Sequence, residues 1–136
     1  MLHFLDTNVL LYSISRNPDE SFKRARAIAL LDEESGALSI QVLQEFYVQA
    51  TRSSRADAIP HEFAVGLIEA WRRFRIQDMT MHVLTSALRI RKANGFSYWD
   101  SAIVAAALAL GCDQLFTEDL SHGQVVEGLA ITYPFR

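Results

Sequence analysis

Four acids stand in company that does not suit an acid. Asp6 interrupts FLDTNVLLY, and Glu45 lies inside SIQVLQEFY. Asp100 opens the apolar run YWDSAIVAAALAL, and Asp119 follows LFTE. A carboxylate among apolar residues costs free energy unless something pairs with it. Carboxylate oxygens are hard donors, and a cluster of them suits Mg²⁺ or Mn²⁺ rather than a thiol-seeking metal. A cation held in this way suits phosphodiester hydrolysis. It lowers the pKa of a bound water, polarises a phosphoryl oxygen and orients the attack; two metals ~3.5–4 Å apart clamp both reacting oxygens. The electrostatics ask for such a cation. Two carboxylates ~5 Å apart repel by roughly 3 kcal/mol at an effective dielectric of about 20. Four together must be neutralised or take up protons.

Each acid also has an ordinary reading. Ser97 and Asp100 have the spacing of a capping box, and an acid in a first helical turn suits the helix dipole. Asp6 is placed to cap a following helix, although Thr7 and Asn8 are also available. Glu45 suits a solvated surface, and Glu118 and Asp119 suit a turn. Only a shared location favours chemistry over these readings, so the elements that carry the acids decide.

Those elements alternate. Short strands are expected at Leu2–Leu5, Ala37–Ser39, Ile76–Met79, Gln114–Thr117 and Leu129–Tyr133. Helices are expected at Asn8–Ser15, Ser21–Glu34, Ile40–Thr51, Pro60–Phe74, Thr80–Asn94 and Ser97–Leu110. Gly36 breaks the second helical pattern, and Gly95 serves as a C′ glycine. The second helix is expected to bury Phe22, Ala25, Ile28, Ala29 and Leu31, leaving Lys23, Arg24 and Arg26 outside. Strand–helix alternation implies parallel βαβ units with right-handed crossovers. The expected fold is an α/β three-layer sandwich with a five-stranded, mostly parallel sheet in a single domain, residues 1–136. In such sheets the working site lies beyond the carboxyl ends of the strands. Asp6 follows the first strand, and Thr117, Glu118 and Asp119 follow the fourth. Glu45 trails the second strand by about one and a half turns. The acids therefore converge on one rim.

Composition removes other classes. Hydrophobic residues make up 50 % of the chain and the formal net charge is −3. That suits a globular domain with no bulk field for polyanions or anionic membranes. The longest apolar run, Ala102–Cys112, is too short to span a bilayer. The single cysteine, Cys112, makes no disulfide framework and is expected to be a small buried residue; a reducing cytoplasm and no signal peptide are expected. His3, His61, His82 and His122 have no zinc spacing, and His122 is expected in a solvated turn. Tyr98 and Trp99 are expected in the core or an interface rather than as base-stacking platforms. Phosphate-binding glycine loops and the nucleophile-elbow motif are absent.

The ordered set LDTNVLLY, SIQVLQEFY, YWDSAIVAAALALGC and LFTEDL resembles the PIN-domain ribonucleases, most nearly the VapC-type toxins of bacterial type II toxin–antitoxin pairs. The resemblance spans Leu2 to about Tyr133. It implies a metal-dependent endoribonuclease whose acidic quartet falls on Asp6, Glu45, Asp100 and Asp119. Asp6 and Asp100 are the implied direct metal ligands, and Asp119 binds directly or through water. Glu45 holds a metal-bound water or orients the nucleophile. Asn8 and Thr117 are the implied supporting donors, and Glu118 is an extra acid beside the quartet. The implied cofactor is Mg²⁺, with Mn²⁺ as an alternative. The implied partners are an RNA substrate, a cognate antitoxin and a second copy of the chain in a homodimer, with no membrane. RNA binding then rests on local arginines; of Arg16, Arg24, Arg26, Arg52, Arg55, Arg72, Arg73 and Arg75, the pair Arg52 and Arg55 border the loop after the Glu45 helix.

Two rivals remain. A non-catalytic PIN-like RNA-binding or protein-interaction module shares the scaffold, but clustered acids facing a polyanion serve it poorly. A haloacid-dehalogenase-like phosphatase also begins with an acid after its first strand. That chemistry wants a second Asp two residues on, where this chain has Asn8, and a catalytic lysine. Lys23 and Lys92 are both expected on helix surfaces.

Overall fold

The structure, a computed structural model, describes all residues 1–136. The strands are β1 (His3–Leu5), β2 (Gly36–Ser39), β3 (Arg75–Gln77), β4 (Gln114–Phe116), β5 (Val125–Val126) and β6 (Leu129–Thr132). The α-helices are α1 (Thr7–Ser13), α2 (Ser21–Leu31), α3 (Ile40–Ala50), α4 (His61–Trp71), α5 (Met81–Asn94) and α6 (Tyr98–Ala109), with a 3-10 turn at Pro18–Glu20. The sheet order is β3-β2-β1-β4-β6-β5. Every neighbouring pair is parallel except β5 with β6.

The sheet thus has six strands where five were expected. The sixth, β5, is two residues long and joins β6 through Glu127 and Gly128, both at positive φ (50° and 89°). Two consecutive positive φ values are the mark of a tight hairpin turn whose twist matches its strands. The second helical pattern has ended before Gly36, as expected, and Gly36 is the first residue of β2. A Cβ there would lie 2.8 Å from the Phe74 ring, so the position needs glycine for close packing.

Order and handedness position the layers. Right-handed crossovers put the helices between β1 and β3 on one face and α5 and α6 on the other. Helix α6 is apolar all round, and Ser101–Ala107 are buried without interruption. It packs on α5 and across β2, β3, β4 and β6. Gly95 ends α5 in the left-handed conformation at φ 74°, which only glycine adopts without cost. One continuous core joins Phe4, Leu38, Leu115 and Ile131 of the sheet to Val9, Leu10, Phe46 and Trp71.

Helix α2 departs from expectation. Its buried residues are Ala27, Leu30 and Leu31, whereas Phe22 is 63 % exposed. Ala25 and Ala29 are exposed too, and Ile28 is half-buried. Lys23 and Arg26 turn inward and are half-buried. Arg26 Nε donates to the Pro134 carbonyl at 3.0 Å. The polar heads found partners on distant segments, which lets their stems cover apolar surface.

Candidate active site

The strand direction changes sides at β1. The chain steps to β2 and β3 on one flank, then returns to β4 on the other. Such a switch leaves a crevice at the carboxyl ends of the two central strands. The β1–β4 register pairs Leu5 with Phe116, so the next residues, Asp6 and Thr117, leave the sheet side by side. Thr117 Oγ1 donates to Asp6 Oδ2 at 2.7 Å and accepts the Asp119 N–H at 3.0 Å. One buried hydroxyl therefore fixes two acids. Asp6 is also the N-cap of α1, accepting the Thr7 N–H at Oδ1, 2.6 Å away.

The other acids arrive from separate helices. Glu45, half-buried on α3, accepts a hydrogen bond from Thr7 Oγ1 at 2.8 Å. Asp100 lies in the first turn of α6. Its N–H donates to Ser97 Oγ at 3.1 Å, the first half of the expected capping box. Asp119 accepts from Asn8 Nδ2 at 3.3 Å. Asp6, Glu45, Asp100 and Asp119 line one cleft of about 320 Å³, with Thr7, Asn8, Tyr12, Arg55 and Trp99 among the other walls.

The cleft strains its acids. Burial pushes the Asp6 carboxyl up to about 7, against the pull of Thr117 and Thr7, with Asp119 and Glu45 adding repulsion. Asp119 is also raised, first by burial and then by Asp100 and Glu118. No cation pairs with any of the four. The oxygen Asn8 Oδ1 is buried at the same place without a donor. Uncompensated carboxylates and an orphaned amide oxygen form a donor set for a hard cation. No three acids already converge in the geometry of a ligand cage. Mg²⁺ asks for less than a cage, because it keeps several waters and takes one or two carboxylates plus substrate phosphate oxygens. The donor set therefore fits such an ion.

Glu118 stands apart from the quartet although it lines the same cleft. It accepts from Tyr12 Oη at 2.7 Å and pairs with Lys23 Nζ at 3.1 Å. Lys23 also donates to Tyr12 at 3.2 Å, and both partners hold its ammonium firmly protonated. Lys23 is thus not the free surface lysine expected from the sequence. The Lys23–Tyr12–Glu118 group and the Thr7–Glu45 bond were not foreseen. Apart from Lys23 and Tyr12, which are 11 positions apart, their partners lie 38 to 106 positions apart, and no local pattern announces them.

The arginines divide. Arg55 reaches the cleft wall, with Nε 2.8 Å from Asp57 Oδ1 as an ion pair rather than an aligned hydrogen bond. Arg52 lines the adjoining groove. Arg26, Arg72 and Arg73 are engaged elsewhere, the last with the Leu31 carbonyl at 2.6 Å. Cys112 is buried and its thiol is pushed up to about 11, chiefly by burial, as befits an inert residue. His122 is exposed and accepts the Tyr133 N–H at Nδ1, 3.0 Å away. Trp99 differs from a core residue, being 59 % exposed. No helix is long and apolar enough to cross a membrane.

Comparison with known proteins agrees with this architecture. The family model of the PIN domain matches residues 3–127. No curated protein matches the chain. Among solved structures, a toxin–antitoxin complex from Klebsiella pneumoniae is similar at a TM-score of 0.70 and 18 % identity, over 94 % of this chain and 95 % of that one. FitAB bound to the IR36 DNA fragment is similar at 0.73 and 23 %, over 99 % and 96 %. VapC20 of Mycobacterium tuberculosis, a sarcin-ricin loop cleaving toxin, is similar at 0.66 and 20 %, over 92 % and 97 %.

Proposed function

The chain belongs to the PIN-domain family, and from that premise we propose that it is a divalent-metal-dependent endoribonuclease, the toxin of a toxin–antitoxin pair. One observation carries the reading. Asp6 is held by two neutral donors at the end of the first strand, in a cleft lined by five further acids of which only Glu118 has an ion pair, while the one lining cation, Arg55, is paired with Asp57. A structural role would have been served by a neutral residue or an ion pair. The likeness to solved toxin–antitoxin structures adds support for the toxin role and for an antitoxin partner. The description of VapC20 as a sarcin-ricin loop cleaving toxin supports RNA as the substrate class.

Asp6 and Asp100 would hold Mg²⁺ or Mn²⁺ directly in this reading, and Asp119 would bind directly or through water. A cation there supplies charge relief at the scissile phosphate and makes a water easier to deprotonate. Thr117 fixes the Asp6 carboxylate and the backbone that carries Asp119. Thr7 fixes Glu45, which orients the attacking water. Asn8 steadies Asp119, and its unpartnered amide oxygen would be a further hard donor for the ion or its water. Arg55 and Arg52 contact substrate phosphates, the first by leaving Asp57 for a phosphate oxygen. Glu118, already neutralised by Lys23, serves as an anchor of the Asp119 loop rather than as a ligand. A homodimer in the reducing cytoplasm completes the reading.

The test is cleavage of total cellular RNA with Mg²⁺ or Mn²⁺, beside Asp6→Ala. Cleavage by the parent protein and a loss of roughly 10²- to 10³-fold in the variant is the expected result. Equal cleavage by both marks a contaminant, and none with any divalent metal leaves a binding module.

A further inference from the structure

We propose that Trp99 is a stacking platform for a nucleobase of single-stranded RNA, and that the groove beside it along α3 receives that nucleotide. The inference rests on the ribonuclease reading and deepens it.

Trp99 is the residue before Asp100, yet it is 59 % exposed, whereas the middle of the same helix is buried without a break. The helix needs no indole at that point. A small or polar residue in the first turn would avoid leaving a large apolar surface in water. Its backbone is anchored and its ring has one neighbour: Gln41, only 4 % exposed, donates through Nε2 to the Trp99 backbone carbonyl at 3.2 Å, and the Tyr98 ring meets the indole edge to face with centroids 5.0 Å apart. A ring with a fixed anchor and a free surface is preorganised to stack.

Its surroundings select the occupant. Trp99 lines the acid cleft and also an adjoining groove of about 310 Å³ walled by Gln44, Val48, Gln49 and Arg52. Glu45 lies on both, so the groove continues the cleft. A second protein copy would ask for a continuous apolar patch, but Val48 is the only other exposed apolar wall. One aromatic plane ringed by amides suits a flat base with polar edges. The amides offer donors and acceptors to those edges, and Arg52 offers a phosphate contact. A base on Trp99 would set its own phosphate near Asp100, the acid next to it in sequence.

Fluorescence tests the platform without relying on cleavage. The chain has two tryptophans, and Trp71 is buried, so emission changes on ligand addition report Trp99. The full chain carrying Asp6→Asn, which keeps RNA intact, is titrated with a single-stranded 12-nucleotide RNA and with the same strand made abasic. The RNA is expected to quench emission. Trp99→Ala is expected to weaken binding roughly five- to hundredfold, with Trp99→Phe retaining most of the affinity. The abasic strand should bind the parent weakly and be indifferent to Trp99→Ala. Unchanged RNA affinity in Trp99→Ala overturns the platform alone if the protein without the Asp6 change still cleaves RNA. A shift from dimer to monomer in Trp99→Ala, with RNA affinity intact, overturns it in favour of a second copy. Failure of the parent to bind or cleave any RNA overturns both this inference and the reading beneath it.

Discussion

The acids of this chain are treated in two ways. Away from the cleft centre several stand beside bases, Glu118 with Lys23, Asp57 with Arg55, Glu69 with Arg72 and Glu127 with Arg89, and most of the rest are exposed to water. At the ends of β1 and β4 they receive only neutral donors. Thr117, Thr7 and Asn8 orient the carboxylates of Asp6, Glu45 and Asp119 but cancel no charge. The boundary is sharp, since Glu118 and Asp119 are adjacent residues on opposite sides of it. A fold that neutralised every acid would gain stability and lose the place that the proposed cation would occupy. The difference locates the site where stability has been given up.

The largest test of this contrast is pH. The folded chain holds a proton on Asp6 up to about 7, whereas an unfolded aspartate releases it near 4. Between those values the folded state binds more protons, so its stability falls as pH rises. Asp119, shifted in the same direction, adds to the slope. In chelator, stability by urea unfolding should drop by about 2–3 kcal/mol from pH 5 to pH 8. Asp6→Asn should remove most of that slope. A curve that is flat, or that rises with pH, breaks the contrast.

Metal should reverse the loss. At pH 8 and about a hundred times its dissociation constant, Mg²⁺ or Mn²⁺ should return about 2.7 kcal/mol. That corresponds to a melting temperature higher by roughly 5–10 °C. The double variant Asp6→Asn, Asp100→Asn should lose most of the gain. No change in the parent at millimolar metal would mean that the unpaired acids are not a cation site.

Thr117→Val keeps the shape and removes the hydroxyl that serves two acids. It should cost about 1–3 kcal/mol. The cost should be larger at pH 8 than at pH 5, because the lost bond favours the charged form of Asp6. A cost independent of pH would assign Thr117 to packing alone.

Lys23→Met moves Glu118 across the boundary. The pair is partly solvated, with side chains 32 % and 24 % exposed, so the stability cost should stay near 1 kcal/mol or below. The informative readout is the stabilisation by Mg²⁺ measured above. Glu118 then joins the uncompensated acids of the cleft, so the gain on adding metal should exceed that of the parent. An unchanged gain would show that Glu118 never faces the ion.

The sequence revealed the fold further than the partnerships. Strands β1, β2 and β4 are short apolar runs bounded by polar turns, and α6 is apolar on every side, so local pattern identified them. Strand β5 escaped because it is two residues long and its turn carries Glu127-Gly128 instead of the Asn-Gly that announces such hairpins. The face of α2 was misread because Phe22 outweighed alanines in the helical pattern. The deciding fact was a partner for Lys23 that lies 95 residues away. The convergence of Asp6 and Asp119 was legible, since each follows a strand expected to end at the same edge of the sheet, whereas Glu45 and Asp100 arrive on helices. The hydroxyls that hold them were legible only in part: Thr117 by its position, the Thr7–Glu45 bond not at all.

The smallest expected effect is the control that gives the others meaning. Glu69 and Arg72 form an ion pair 3.2 Å apart near the end of α4, with side chains 60 % and 70 % exposed. Both charges keep most of their hydration, and salt screens what remains. Arg72→Ala should therefore shift stability by no more than about 0.5 kcal/mol, with no dependence on pH between 5 and 8 and none on Mg²⁺. Paired surface acids would then be energetically quiet while unpaired cleft acids respond to protons and metal. If Arg72→Ala instead reproduced the pH slope or the metal response of the cleft variants, those responses would belong to the charge of the whole protein. The contrast between the two regions would then disappear, and with it the argument that the cleft was built for a cation.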